Sequence, residues 1–270
     1  MKMGISVWAF PENWDLQRIF ATAKAVGFDG VEVALAEDGE VNLNSTKSDM
    51  QTVKKIARDN HIELYSVATG LYWVYSLTSN DDTVREKANV IVRKQLEIAS
   101  WLDCNTVLVV PGLVDASVYY DVAYKRAIDA IQEHKQFAAS VGVSIGIENV
   151  WNNFLLSPLE MREFINAFDS DYVGVYFDVG NVVYSGYPEH WIQLLGPYIK
   201  KVHFKDYERS LNGFVDILAG DVNYPAVMNE LEKAGYDDWV TAEVGFSPDY
   251  PEQSLVNIAN SMRKITEKKK

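Results

Sequence analysis

Residues 144–178 read SIGIENVWNNFLLSPLEMREFINAFDSDYVGVYFD, and this stretch decides the fold class. Short apolar runs at 144–148 and 173–178 flank a longer segment at 158–168 whose apolar residues recur with helical spacing. Ser157 followed by Pro158 is typical of a helix start. A strand, a helix and a second strand in this order predict a βαβ unit with parallel strands.

The same unit repeats along the chain. Further strands are predicted at residues 4–7, 30–33, 63–68, 106–110, 200–204 and 239–243. Further helices are predicted at residues 16–26, 49–60, 83–102, 118–141, 190–195, 224–234 and 255–265. Gly27 and Gly235 each follow a helix, where a left-handed glycine commonly ends it. Eight such units without a linker favour an α/β fold in one domain, residues 1–270, as a closed (β/α)8 TIM barrel over a doubly wound open sheet.

The composition limits the function. The chain has 25 Lys and Arg against 38 Asp and Glu, a net charge of −13, which argues against a nucleic-acid partner. Hydrophobic residues make up 48%, enough for a large core, and no run approaches the roughly 18 apolar residues of a membrane span. The first residues lack a signal-peptide core, and Cys104 is the sole cysteine. A cytoplasmic protein without disulfides or a membrane partner is therefore expected.

Four consecutive predicted strands end in side chains that bind metal ions, namely Glu148, Asp178, His203 and Glu243. The carboxyl ends of barrel strands meet at one face, so the four groups are expected to lie together. Three carboxylates there would repel one another without a cation. Oxygen donors with one imidazole suit Mn²⁺, Mg²⁺ or Co²⁺, and the sequence predicts one divalent ion, with Mn²⁺ favoured. For a single residue such as Asp178, capping of the next helix is the alternative.

Several motifs together resemble those of a known family: GFDGVE at 27–32, IEN at 147–149, FDVGN at 177–181, VHFKD at 202–206 and AE at 242–243. They are similar to the xylose isomerase-like TIM barrels, the sugar phosphate isomerase/epimerase family that includes ketose 3-epimerases and L-ribulose-5-phosphate 3-epimerase. The resemblance implies that the four residues bind one metal ion and that Glu148 and Glu243 are also the acid/base pair. It implies inversion of C3 in a ketose or ketose phosphate through a metal-stabilised enediolate. It further implies a homodimer or homotetramer.

The chain also departs from the ketose 3-epimerase pattern. Asn181 stands where those enzymes commonly carry a substrate-binding histidine, and is itself assigned to substrate binding; Phe154 stands where they carry a glutamate. Lys205 and Arg209 place positive charge after the seventh predicted strand, which favours a phosphorylated ketose over a neutral one. The alternative for Lys205 is a surface pair with Asp206.

Aromatic residues near strand ends complete the predicted substrate site. Trp8, Trp73 and Trp151 are assigned to the sugar, and Tyr72 is a further candidate, with packing in the core as the alternative for each. Glu32, inside the second strand, either supports the site or is an unrelated barrel carboxylate.

Other functions stay open at the level of the sequence. Aldose–ketose isomerisation and dehydration of a keto-polyol begin with the same proton abstraction. A non-catalytic sugar-binding barrel is the alternative from another class. A DNA-repair barrel of the endonuclease IV type fits poorly, because its three zinc ions need histidines and His61, His134 and His190 are expected on the surface.

Overall fold

The computed structural model describes residues 1–267, so the last three residues of the predicted domain lie outside the described part. The strands are β1 Lys2–Ser6, β2 Gly30–Leu35, β3 Glu63–Thr69, β4 Thr106–Val109, β5 Ser144–Glu148, β6 Val173–Asp178, β7 Ile199–Phe204, β8 Asp206–Glu208, β9 Gly213–Val215 and β10 Trp239–Ala242. Eight of these described strands close into a parallel barrel in the order β1, β10, β7, β6, β5, β4, β3, β2. The predicted (β/α)8 barrel is confirmed.

The helices surround the barrel. Those that were predicted begin and end close to their predicted residues. They are α1 Leu16–Val26, α2 Lys47–Asp59, α3 Asp82–Trp101, α4 Tyr120–Val141, α5 Pro158–Asn166, α6 Val179–Val183, α7 Pro188–Leu195, α8 Tyr224–Lys233 and α9 Pro251–Thr266. Two features were not predicted: the short helix α6 directly after β6, and the antiparallel hairpin formed by β8 and β9.

Local residue types explain where the helices begin and end. The Ser157 hydroxyl accepts a hydrogen bond from the N–H of Glu160 and so caps α5, with Pro158 in its first turn. Gly27 has a φ of 103° and Gly235 a φ of 75°, the left-handed backbone that glycine adopts without strain. Both predicted turns are therefore confirmed.

The strand register brings the site residues to one end of the barrel. Asp178 at the end of β6 pairs with His203 in β7, and His203 pairs with Thr241 in β10. Glu148 at the end of β5 pairs with Tyr176 in β6. Parallel strands place their carboxyl ends side by side, so four side chains distant in sequence converge at one end of the barrel.

The remaining histidines differ from expectation at one position. His61 and His190 are exposed, as predicted. His134 is buried, so its predicted surface position is wrong: it lies on the side of α4 that faces α3, where its ring nitrogen Nε2 is 3.0 Å from Asn89 Oδ1.

Cys104 is buried, as expected, and burial raises the pKa of its thiol. No helix in the described part of the chain is long and apolar enough to cross a membrane.

Candidate metal and catalytic site

The four predicted ligands converge at the carboxyl end of the barrel. Glu148 and Asp178 are the last residues of β5 and β6, His203 lies in β7, and Glu243 directly follows β10. The Glu243 N–H donates to the carbonyl of Phe204 at 3.1 Å, which continues the strand pairing by one residue. One ligand atom from each of the four side chains lies within 4.8 Å of the other three.

Unsatisfied polar atoms mark the centre of this cluster. Within residues 1–267, three buried side-chain atoms make no hydrogen bond of standard geometry: Asp178 Oδ2, His203 Nδ1 and Glu243 Oε2. The two carboxylate oxygens face the ammonium of Lys205. His203 Nδ1 lies 3.8 Å from Glu148 Oε1 and 3.4 Å from Glu243 Oε2. Buried polar groups normally find partners, and these two oxygens and one ring nitrogen are of the kinds that bind a divalent cation. Three carboxylates and one imidazole suit a hard or borderline divalent ion.

Asp178 performs two roles with its two oxygens. Its Oδ1 accepts the N–H of Asn181 at 2.7 Å and caps α6, while its Oδ2 faces the cluster and makes no hydrogen bond of standard geometry. Asn149 fixes the backbone around it, because its amide accepts from the Asp178 N–H at 2.9 Å and donates to the Asp178 carbonyl at 2.7 Å. The Asn181 amide in turn donates to the Asn149 carbonyl at 3.1 Å. Capping and metal binding are therefore compatible at Asp178.

Glu32 orients the histidine from inside the barrel. It is fully buried, and its Oε1 lies 2.9 Å from His203 Nε2. Its Oε2 accepts hydrogen bonds from Ser66 at 2.7 Å and from the hydroxyl of Tyr176. This arrangement directs the other ring nitrogen, Nδ1, toward the cluster. Glu32 therefore supports the site.

Lys205 lies among the carboxylates and not on the surface. Its Nζ is 2.5 Å from Glu243 Oε2 and 3.4 Å from Asp178 Oδ2, and it lies 5.0 Å from the ring centroid of Phe214. Although burial alone would lower the pKa of Lys205, the neighbouring carboxylates outweigh it and raise the pKa. The alternative of a surface pair with Asp206 is wrong, because Asp206 is buried and accepts backbone N–H groups.

The two glutamates have different electrostatic surroundings. Burial raises the pKa of Glu148 to about 7, with His203 opposing the shift. Burial also favours the neutral form of Glu243, but the Lys205 ammonium and then His203 outweigh it and hold the pKa of Glu243 below its usual value. Within one cluster, one carboxyl is thus more easily protonated and the other more easily ionised.

The residues assigned to substrate binding fall in different places. Trp8 lines a cavity that begins at Lys205 and Glu243, and its side chain is 38% exposed. Trp151 stacks on Phe214, which lines the same cavity, and donates its indole N–H to the carbonyl of Asn181 at 2.9 Å.

Two other assigned residues do not line this cavity. Trp73 is half-exposed in the 3-10 helix after β3. Arg209 donates to the carbonyls of Val183 at 3.1 Å and Gly186 at 2.9 Å, and its guanidinium lies over the ring of Tyr187. Both remain predictions as substrate contacts.

Two residues singled out by the sequence pack elsewhere. Tyr72 is buried, and its hydroxyl donates to Gln95 at 2.8 Å. Phe154, which stands in place of a family glutamate, is buried among other aromatic rings, including Tyr120 and Phe164.

Comparison with known proteins identifies the family. The profile described as Xylose isomerase-like TIM barrel matches residues 20–265. The chain belongs to this family, which confirms the family predicted from the motifs.

Individual relatives narrow the class of protein. The chain is 26% identical over 248 residues to a putative L-ribulose-5-phosphate 3-epimerase of Haemophilus influenzae, covering 87% of this chain and 85% of that protein. The structure of D-psicose 3-epimerase from Clostridium cellulolyticum H10 superposes with a TM-score of 0.83 at 17% identity, covering 99% and 100% of the two chains. A structure of IOLI protein with a bound zinc atom gives a TM-score of 0.78 at 19% identity, covering 98% of each chain. The sequence relative named as a sugar epimerase confirms the expectation of an enzyme of the sugar isomerase/epimerase class, and the two structures confirm the fold.

Proposed function

We propose that the chain is a divalent-metal-dependent epimerase that inverts C3 of a ketose or ketose phosphate. The observation that supports this most directly is that a buried glutamate, Glu148, and a partly buried one, Glu243, lie in one cluster with Asp178 and His203. Simple sugar binding requires no such set of proton carriers beside a cation site. The relatives named as 3-epimerases support the same reaction.

The positions of the two glutamates suit inversion. β6 and β7 lie between β5 and β10 in the barrel, so Glu148 and Glu243 approach the cluster from strands on either side of Asp178 and His203. A ketose held between them presents its C3 proton to one carboxylate and its opposite face to the other. One glutamate removes the proton and the second returns a proton from the other side.

The other residues of the cluster prepare this exchange. Glu148, Asp178, His203 and Glu243 are the residues that would hold the divalent ion. When bound, such an ion stabilises the negative charge that develops on a ketose as the proton beside its carbonyl leaves. Glu32 holds the His203 ring in position, and Glu148 is buried while Glu243 lines a cavity through which a substrate could enter.

Solvent deuterium exchange tests the proposal. The protein is incubated in D₂O with Mn²⁺ and a panel of pentuloses, hexuloses and their phosphates, and the exchanged carbon is located by NMR. We expect deuterium at C3 together with the C3 epimer. Exchange at C1 or C2 with an aldose product would indicate an aldose–ketose isomerase, and loss of water would indicate a keto-polyol dehydratase. Binding of a sugar without any deuterium exchange would indicate a non-catalytic sugar-binding barrel.

Substitution of each glutamate tests the acid/base roles. Glu148→Gln and Glu243→Gln each remove a proton carrier and a ligand charge, so turnover is expected to fall about 10²–10⁴-fold. Glu63→Gln, in an exposed ion pair with Lys2, is the matched control and is expected to keep the wild-type rate. A near-normal rate for either site variant would remove that carboxylate from the reaction.

Three further expectations stay predictions: manganese as the ion, a cytoplasmic location, and a homodimer or homotetramer.

A further inference from the structure

A long cavity leads away from the carboxylate cluster. Its volume is about 830 Å³, and it begins at Glu243 and Lys205. One wall is formed by residues 214–217, a second by residues 244–247, and a third by one side of α9. Gln253 and Ser261, which both line it on α9, lie about 12 Å apart along the helix axis. The cavity therefore extends along about 12 Å of α9 in addition to the part lined by Lys205 and Glu243.

Neutral hydrogen-bonding side chains line the outer part of this cavity: Ser247, Gln253, Ser254, Asn257 and Ser261. Hydroxyl and amide groups both donate and accept, which matches the hydroxyl groups of a sugar. The Gln253 amide donates to Asn257 Oδ1 at 3.0 Å, so the two amides order each other.

The charges along the cavity do not suit a phosphate. Among its described lining residues, Lys205 is the one cation, and it already pairs with Asp178 and Glu243. Asp216 adds an exposed carboxylate to the wall. The guanidinium of Arg209 is held by backbone carbonyls outside the lining. Phosphate sites commonly use Arg or Lys side chains that are available to the oxygens, and this wall offers none.

Two aromatic rings offer apolar faces to the cavity. The side chains of Trp8 and Tyr250 are 38% and 71% exposed, and both line it. Exposed aromatic faces combined with a few neutral polar groups are typical of small-molecule sites, and the C–H face of a sugar ring packs on such rings.

We infer that this cavity binds a second, uncharged sugar ring attached to the ketose whose C3 reacts at the cluster. The inference deepens the proposed function and rests on it for the location of the reacting end. It assigns the substrate class as a glycosylated ketose, with the glycosyl group on a carbon distal to the carbonyl.

Three ligands that share one reacting end test this assignment. D-Fructose, D-fructose 6-phosphate and isomaltulose, which is 6-O-glucosyl fructose, differ only at O6. Their binding to the Mn²⁺-loaded protein is measured by isothermal titration calorimetry. Because a second ring gains at least two net hydrogen bonds, isomaltulose is expected to bind about tenfold more tightly than either other ligand. Tighter binding of the phosphate, equal binding of all three, or no measurable binding would each overturn the inference.

Matched asparagine variants locate the second ring. Asn257→Leu removes a lining amide, and Asn260→Leu removes an exposed amide of the same helix that does not line the cavity. Asn257→Leu is expected to reduce the affinity for isomaltulose to that for fructose and to leave fructose binding unchanged. Asn260→Leu is expected to change neither. An equal effect of the two variants on isomaltulose would place the second ring elsewhere and overturn the inference.

Deuterium exchange on the same ligands separates this inference from the proposed function. Preferential binding of isomaltulose without exchange at C3 would contradict the epimerase and leave the second-ring site in place. Exchange of fructose and fructose 6-phosphate with no preference for isomaltulose would support the epimerase and contradict the second-ring site.

Discussion

At the scale of single residues, Glu32 allows a test of the proposed metal site. Its carboxylate faces His203 Nε2 and accepts from Ser66 and Tyr176, so one buried charge is held by three neighbours. Glu32→Gln keeps the shape and removes the charge that makes His203 a better ligand. We expect the dissociation constant for Mn²⁺, measured by competition with a chelator, to rise about 10–100-fold.

A surface control makes this result specific. Glu63→Gln has the same chemical change in the neighbouring strand β3, where the side chain is exposed, and is expected to bind Mn²⁺ as the wild type does. An unchanged affinity in Glu32→Gln, with a melting temperature that shows the variant to be folded, would mean that Glu32 serves the barrel alone.

The convergence of Glu148, Asp178, His203 and Glu243 was predictable, and the contact between Glu32 and His203 was not. Ligand residue types at the ends of consecutive strands are visible in the sequence, because strand ends converge in any parallel barrel. Glu32 is separated from His203 by 171 positions and contacts it across the barrel. Strand register and side-chain direction create that contact, and neither is encoded in a local pattern. The ion pairs of Lys205 were hidden for the same reason.

At the scale of elements, the hairpin of β8 and β9 is the main addition to the predicted order. Its strands have three residues each, too short to give an alternating pattern. Asp206 holds the segment that follows, since its carboxylate accepts the backbone N–H groups of Tyr207 at 2.9 Å, Leu218 at 2.9 Å and Val222 at 3.1 Å. A Cβ at Gly220 would lie 2.3 Å from Asp206 Oδ1, so the chain passes very close to this carboxylate.

Asp206→Asn is therefore expected to loosen this segment. The amide cannot accept at both of its terminal atoms, so at least one backbone N–H loses its partner, at a cost of about 1 kcal/mol or more in the free energy of unfolding. Urea denaturation measures the loss, and limited proteolysis is expected to cut faster within residues 210–222. Asp216→Asn, exposed in the same segment, is the control and is expected to change stability by less than about 0.5 kcal/mol. Equal stability of the two variants would contradict the role of Asp206.

At the scale of the whole molecule, the barrel was predictable and the cavity beside it was not. Repeated βαβ units without a linker determine a closed barrel, since each unit must bury its sheet face against its neighbours. The cavity depends on how far residues 214–217, residues 244–247 and α9 stand apart. Loop geometry of this kind follows from tertiary contacts and leaves no periodic signal in the sequence.

The proposed metal site also predicts a property of the whole barrel. Its ligands come from β5, β6, β7 and the residue after β10, which are four adjacent strands, so an ion bound to them stabilises the folded state and has no such site in the unfolded chain. At a free concentration 100 times its dissociation constant, the ion adds about 2.7 kcal/mol, which corresponds to a rise in melting temperature of about 5–10 °C. Differential scanning calorimetry with Mn²⁺ and with EDTA measures this shift. The shift is expected to disappear in His203→Ala and to persist in His190→Ala, which alters an exposed histidine. A shift of the same size in both variants would place the bound ion away from the four strand ends.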